Sequence, residues 1–300
     1  MFFYHPLYSQ LDLPQHHRFP INKYAQLHTR LIQKRLIKKA IHPNKATLDQ
    51  ITLCHDKNYV ANFINGTLDD KTIKKMGVPW STALVERTLY SIGASIEAAT
   101  YALDHGAAVN LSGGYHHAHH DFGAGFCIFN DLAIAACALI EQGRAGKVVI
   151  FDCDVHQGDG TAAILGERAD VTTCSIHCEY NFPRSKAISD YDFALPSKTQ
   201  DQTYLETVTQ ALNLVCRIHQ PDLLLYNAGA DIFTKDELGM FDISLEGVQM
   251  RDKIVIEYCQ QNALPLMAAM GGGYQRDLSQ LIDVHEQFFI ALINKPAMIV

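Results

Sequence analysis

The sequence predicts an α/β fold: an open, mostly parallel sheet in three layers, with helices on both faces. From residue 107 onward, short apolar runs alternate with helical patterns, the signature of strand–helix–strand units joined into a parallel sheet. The runs are near-continuous stretches of Val, Ile, Leu and Ala, as in strands buried on both faces. Clusters of Asp, His, Asn and Gly follow them, at the carboxyl ends where open α/β sheets place their ligands. Three hundred residues, 48% of them hydrophobic, can bury one large core. No internal repeat, low-complexity tract or linker divides the chain, so a single domain over residues 1–300 is expected.

The opening MFFYHPLY reads as strand-like. Residues 22–41 place Tyr24, Leu27, Leu31, Ile32, Leu36 and Ile41 at helical spacing with Lys and Arg between them, an amphipathic helix whose basic face stays in water. Gly66, Gly77 and Pro79 mark 66–82 as a surface loop, and a second helix over about 83–105 stops at His105-Gly106. Then come the strand AAVNL, a long Gly/His loop, the helix DLAIAACALIEQG, the strand KVVIFDCDV and the short helix GTAAILGER. VTTCSIH, DLLLYNAGA and PLMAAMGGGY are further strands, separated by helical patterns near 202–219 and 246–262. Pro221 and Pro265 fall at boundaries, where proline is tolerated. The segment 178–200 reads as a loop.

A net charge of −7 leaves no electrostatic footprint for nucleic acid or an anionic membrane surface. No apolar stretch reaches bilayer length, and the N-terminus has no signal-peptide pattern. The eight cysteines lie mostly in apolar runs without a CxxC, as reduced core residues do, and the cytoplasm is the expected location.

Chemistry concentrates in residues 148–160, VVIFDCDVHQGDG, where a strand ends in the alternating set Asp152, Asp154, His156. Side chains at i, i+2 and i+4 share a face of a strand, so two carboxylates and an imidazole leave its end together as half of a metal site. A lone Asp-x-Asp is commonly a solvated loop, but matching clusters follow other strands. GGYHHAHHD (113–121) has four histidines, of which His116 and His117 are assigned to catalysis and His119 and His120 to the loop without a role. NAGAD (227–231) offers Asp231 as a third ligand, and the glycines before Tyr274 let the chain turn sharply and aim its hydroxyl. Asp154, His156 and Asp231 make the three-ligand set of a catalytic zinc with an open position. Two histidines and a tyrosine then supply the base, acid and oxyanion donor of metal-assisted hydrolysis.

GGYHHAHHDFGAGFCIFND, FDCDVHQGDGT, NAGAD and GGGY resemble, in order and spacing, the zinc-dependent histone deacetylase superfamily, and look closest to its bacterial and class IV-like members. The likeness runs from HRFP at 17–20 to Tyr274. It implies one catalytic domain with the arginase-deacetylase fold, a parallel sheet of about eight strands flanked by helices. It also implies Asp154, His156 and Asp231 as zinc ligands, His116 paired with Asp152, and His117 paired with Asp159. Gly125 and Phe126 resemble the lining of an acyl-lysine tunnel, with Phe182 as its opposite wall. The carbonyls of Asp152, Asp154 and His156, with Ser175, resemble a structural K+ or Na+ site. Gln157 stands where many members have a second histidine, and Leu238 falls near a pocket methionine; both positions bear on substrate preference.

The reaction expected is hydrolysis of an N-acyl amine, foremost an acyl-lysine of a peptide or protein. The alternatives are an acetylpolyamine or other small acylated amine as substrate, or a binder of acyl ligands without turnover. A binuclear manganese ureohydrolase needs more carboxylates after Asp231, where the chain reads Ile-Phe-Thr-Lys. The ligand set accepts Fe2+ as well as zinc. No nucleic-acid or membrane partner is expected, and the oligomeric state is not readable. The division of labour requires a bend or different rotamers at Asp152, because an extended strand would aim Asp152 with Asp154.

Overall fold

The computed structural model describes residues 1–293; residues 294–300 of the expected domain lie outside the described residues. In chain order the elements are β1 (Phe2–Phe3), a short 3-10 helix (Pro6–Ser9), α1 (Lys23–Gln33), α2 (Leu48–Ile51), α3 (Lys57–Asn65), α4 (Asp70–Met76) and α5 (Thr82–His105). They continue as β2 (Ala107–Asn110), α6 (Asp131–Glu141), β3 (Val148–Asp152), α7 (Asp159–Leu165), β4 (Val171–Cys178) and β5 (Tyr191–Leu195). The last are α8 (Asp201–His219), β6 (Leu223–Asn227), α9 (Leu245–Gln261), β7 (Leu266–Ala269) and α10 (Leu278–Ile293).

Among the described residues the sheet has seven strands, in the order β1-β2-β7-β6-β3-β4-β5, and every pairing is parallel. Connections from β2 to β3 to β4 step one way along the sheet and those from β5 to β6 to β7 step back. Right-handed crossovers therefore put α6 and α7 on one face and α8 and α9 on the other. Contacts agree: α5 packs on α6 and β2, whereas α8 packs on α9 and α9 on α10. Leu223, Leu224, Leu225, Tyr226 and Phe151 are fully buried between the layers. All eight cysteines are buried and free. Among the described residues no helix is long and apolar enough to cross a membrane.

Where the elements differ from the sequence reading, local chemistry explains it. The opening strand is only two residues long, because Pro6 starts a 3-10 helix. The helix expected over 22–41 ends at Gln33, where Arg35 takes a left-handed φ of 58°. Ile41 instead bridges to Phe3, with its N–H bonded to the Phe2 carbonyl at 2.8 Å, so its apolar side belongs to the sheet edge. Inside the expected 66–82 loop, Asp69 caps α4 and Gly77 (φ 80°) ends it. The expected 178–200 loop contains β5, an edge strand whose alternating exposure leaves no continuous apolar run.

One consequence of the topology positions everything that follows. Asn110, Ala269, Asn227, Asp152 and Ser175 are register partners across β2, β7, β6, β3 and β4, so four strand ends and the middle of β4 lie in one buried row. The loops that leave this row carry all four polar clusters of the sequence.

Beside the row, Asn130 caps α6 by accepting from the Ala133 N–H, and its own N–H donates to His55 Nε2 at 2.9 Å. His55 is 1% exposed, and burial lowers its pKa from 6.5 to about 4. Because the folded value is the lower one, the unfolded chain takes up the proton first, and stability is lost as pH falls from 6.5 toward 4. Between pH 7.5 and 5 this group should remove about 2 kcal/mol of unfolding free energy. His55→Gln, which retains an acceptor, should lack that component, as urea unfolding of both proteins at the two pH values will measure; identical pH dependence would refute the assignment.

Candidate metal centre and its histidines

β3 stops at Asp152 because that side chain turns the chain. Its Oδ1 accepts the Asp154 N–H at 3.0 Å and the Asn227 amide at 2.9 Å, while its Oδ2 lies 2.6 Å from His116 Nδ1. The turn separates Asp152 from Asp154, so neighbours two apart serve different partners. Asp154 Oδ1 accepts the His156 N–H and lies 2.9 Å from His156 Nδ1. From the end of β6, Asp231 comes in with Oδ1 on the Val155 N–H (3.0 Å) and Oδ2 3.2 Å from the same His156 nitrogen. Donor atoms of Asp154, His156 and Asp231 thus all lie within 4.8 Å of one another, and all three residues are buried.

The loop after β2 supplies the other half. Asp131 at the start of α6 accepts the Gly114 and Tyr115 N–H groups at 3.3 and 2.8 Å, fixing the turn that delivers His116 and His117. Their rings lie 4.1 Å apart. His117 Nδ1 is 2.6 Å from Asp159 Oδ1, at the first position of α7. The Gly125 position packs so closely that a Cβ there would sit 2.6 Å from His117 Cδ2. Next to it, Phe126 stands 5.7 Å from the Tyr274 ring, and on the other side the Phe182 and His117 rings meet in a T-shaped pair with centroids 4.7 Å apart. Tyr274 is held by its own N–H, which donates to Asp236 Oδ2 at 2.7 Å. Leu238 lies on that loop: its N–H also donates to Asp236, and its carbonyl accepts the Asn181 amide.

Electrostatics separates the two histidines. Burial lowers the pKa of His116, but Asp152 and Asp154 outweigh it and lift the value to about 9. Burial lowers His117 too, and the neighbouring His116 adds to this; Asp159 does not compensate, leaving about 3. At neutral pH His116 is therefore charged and His117 neutral. Burial and Asp231 push Asp154 up to about 6, whereas His156 holds Asp231 well below the carboxylate range despite burial. Burial opposes a charge on Tyr274 and raises its pKa further above 10, so the hydroxyl stays a donor.

The triangle suits a divalent cation. Among the described residues nothing donates a well-directed hydrogen bond to buried Asp231 Oδ2, 3.2 Å from His156 Nδ1, and that nitrogen, caught between two carboxylates, has its pKa raised to about 10 against its burial. Positive charge is what this point lacks. Gly272 (φ 55°) preserves the space: a Cβ there would meet Asp231 Oδ2 at 2.5 Å and Asp154 Oδ2 at 2.7 Å. Two nearby groups escaped the sequence reading. Lys23, assigned to the wet face of its helix, is 3% exposed and donates to the Gly272 carbonyl. His119, left without a role, lies 3.1 Å from the second oxygen of Asp159. Nothing in helical periodicity says which lysine of a basic stretch turns inward.

A parallel sheet whose carboxyl edge gathers a buried Asp-His-Asp triangle and two Asp-paired histidines has the build of a metal-dependent hydrolase. The chain belongs to the histone deacetylase family, and residues 17–288 match the histone deacetylase domain. It is accordingly a hydrolase that acts on amide bonds. It is 39% identical over 284 residues to an uncharacterized protein of Picosynechococcus sp., covering 94% of each chain. It is 27% identical to histone deacetylase 2 of Arabidopsis thaliana, with 91% of this chain and 74% of that one covered. It is also 27% identical to the acetoin utilization protein AcuC of Bacillus subtilis, covering 91% and 77%. The crystal structure of the HDA15 HD domain shares the fold, with a TM-score of 0.81 at 19% identity over 99% of this chain and 89% of that one.

If the triangle binds zinc, metal at a thousandfold excess over its Kd should stabilise the chelator-treated protein by about 4 kcal/mol. Asp231→Asn retains the shape and removes one charge, and should abolish most of that increment in thermal unfolding with and without zinc. An equal rise in the variant would mean that the metal binds elsewhere.

Proposed function

We propose that the chain is a zinc-dependent deacylase of N-acylated amines, and that its substrate is an acyl-lysine of a peptide or protein. The observation that carries this reading is the Asp154-His156-Asp231 triangle with its unpartnered Asp231 oxygen, set beside one charged and one neutral histidine. In this reading Asp154, His156 and Asp231 hold the metal, for which zinc is the natural ion and Fe2+ is also accepted. When bound, the ion polarises the amide carbonyl and acidifies water.

The chain's own residues do the rest. His117, with Nδ1 tied to Asp159, offers Nε2 as the base that takes the proton of the attacking water and later returns it to the leaving amine. His116, held charged by Asp152, contributes positive potential beside the developing oxyanion, and Tyr274 donates its hydroxyl to that oxygen. Gly125 and Phe126 on one side and Phe182 on the other enclose the acyl-lysine stem, with Leu238 toward the mouth. Exposed Tyr180, Phe182 and Ile188 on the neighbouring segment suit a peptide chain better than a polycation such as an acetylpolyamine. A structural K+ or Na+ near Asp152, Asp154, His156 and Ser175 belongs to the same reading, as do one catalytic domain over residues 1–300 and a cytoplasmic location.

Zinc-loaded protein should release acetate from an acetyl-lysine peptide faster than from an acetylpolyamine, read by acetate assay across a panel of acyl lengths. Binding across the panel without any release would leave an acyl-ligand binder in its place. In the active protein, Tyr274→Phe should lose about two to three decades of kcat with KM changed far less. Full activity in Tyr274→Phe would remove the tyrosine from the reaction.

A further inference from the structure

Asp159 serves two histidines, and the reaction above uses only one. Its Oδ1 lies 2.6 Å from His117 Nδ1, and its Oδ2 lies 3.1 Å from His119 Nε2. Among the described residues, the Asp159 carboxylate has no other hydrogen-bond partner. Both contacts oppose the effect of burial and draw its pKa well below the carboxylate range.

The other histidine–aspartate pair shows what the second oxygen is for. In Asp152, the oxygen that does not face His116 receives the Asp154 N–H and the Asn227 amide, so the carboxylate plane is fixed from both sides. A carboxylate held at one oxygen alone turns freely, because the terminal torsion of Asp has a broad, shallow profile. For Asp159 neither a backbone N–H nor an amide fills that place. His119 stands there.

His119 is itself held firmly. Its backbone N–H donates to the Phe122 carbonyl at 2.9 Å, and its ring stacks on Phe122 with centroids 4.3 Å apart and planes 21° from parallel. Lys75 Nζ lies 3.1 Å from the centroid of that phenyl ring. His55, His120, Asp121, Lys75 and Lys186 lie in the titratable surroundings, and none hydrogen-bonds Asp159. The neighbouring His120 faces away, with Nδ1 on the Cys54 carbonyl.

We propose that His119 is a positioning residue for His117. Its Nε2–H pins one oxygen of Asp159 so that the other meets His117 Nδ1, which leaves His117 Nε2 aimed at the reacting atoms. This rests on the reading of His117 as the base, and it separates the two adjacent pairs: His116 is oriented by groups from the sheet, His117 by a second imidazole reaching in from the loop surface.

Two variants of the full chain test it. His119→Phe keeps a ring to stack on Phe122 and removes the donor; His119→Gln supplies a donor in nearly the same place. His119→Phe should lower kcat about tenfold or more with KM nearly unchanged, and His119→Gln should recover most of the loss. In protein with 15N-labelled histidine, the Nδ1–H resonance of His117 should shift or broaden in His119→Phe, while that of His116 stays put. This readout needs no turnover, so failure of the deacylase reading and failure of the positioning role are distinguishable. An unchanged His117 resonance in His119→Phe overturns the proposal whatever the kinetics, and so does an equal kcat loss in both variants.

Discussion

Two buried carboxylates directed at the same imidazole nitrogen set the terms for the rest of this molecule. Asp154 and Asp231 are 1% and 0% exposed, and neither reaches bulk water. Burying like charges together is tolerable only where positive charge and hydrogen-bond donors compensate them. The surroundings supply both: backbone N–H groups of Val155 and His156, the charged His116, and the ammonium of Lys23 behind the glycine turn. Lys23 feels the same demand from the other side, since burial drags its pKa down to about 8 while Asp231 and Asp154 pull it back up. A divalent ion completes the compensation, and a Cβ at Gly272 would occupy the space it needs.

This charge arrangement is expensive to build from flexible parts, and the fold avoids them. Arg251, fully buried in α9, donates to the Gly229 carbonyl at 2.5 Å and reaches the Cys153 carbonyl at 3.3 Å, so one guanidinium ties together the loops of both carboxylates. Asp252 accepts from that guanidinium, and the Tyr226 hydroxyl donates to Asp252 in turn. Asp131 and Asp236 do the same for the histidine loop and for Tyr274 by accepting backbone N–H groups. Buried acids are used here as connectors of loops as much as chemical groups.

Much of this was legible in the sequence because strand periodicity and motif order carry it. The run ending in Asp152, Asp154 and His156, and NAGAD after a second strand, point to one sheet edge without any coordinates. The bend that separates Asp152 from Asp154 was legible only as one of two possibilities, since the donors that make it come from the Asp154 backbone and from Asn227 on another strand. Lys23, Arg251 and His119 were hidden for one physical reason: each is defined by a partner distant in sequence, and local pattern does not report which polar side chain faces inward. β5 was hidden for the opposite reason, because an edge strand needs no apolar run.

The row of register partners from Asn110 to Ser175 has a kinetic meaning as well as a geometric one. The histidines enter after β2, two ligands after β3, the third after β6 and the tyrosine after β7, so strands far apart in the chain must pair before the groups of different loops meet. Parallel pairings of this separation form late, because each closes a long loop of chain. No fragment ending before β7 can assemble the complete constellation. Tyr274 joins the acids and imidazoles only when β7 takes its place between β2 and β6.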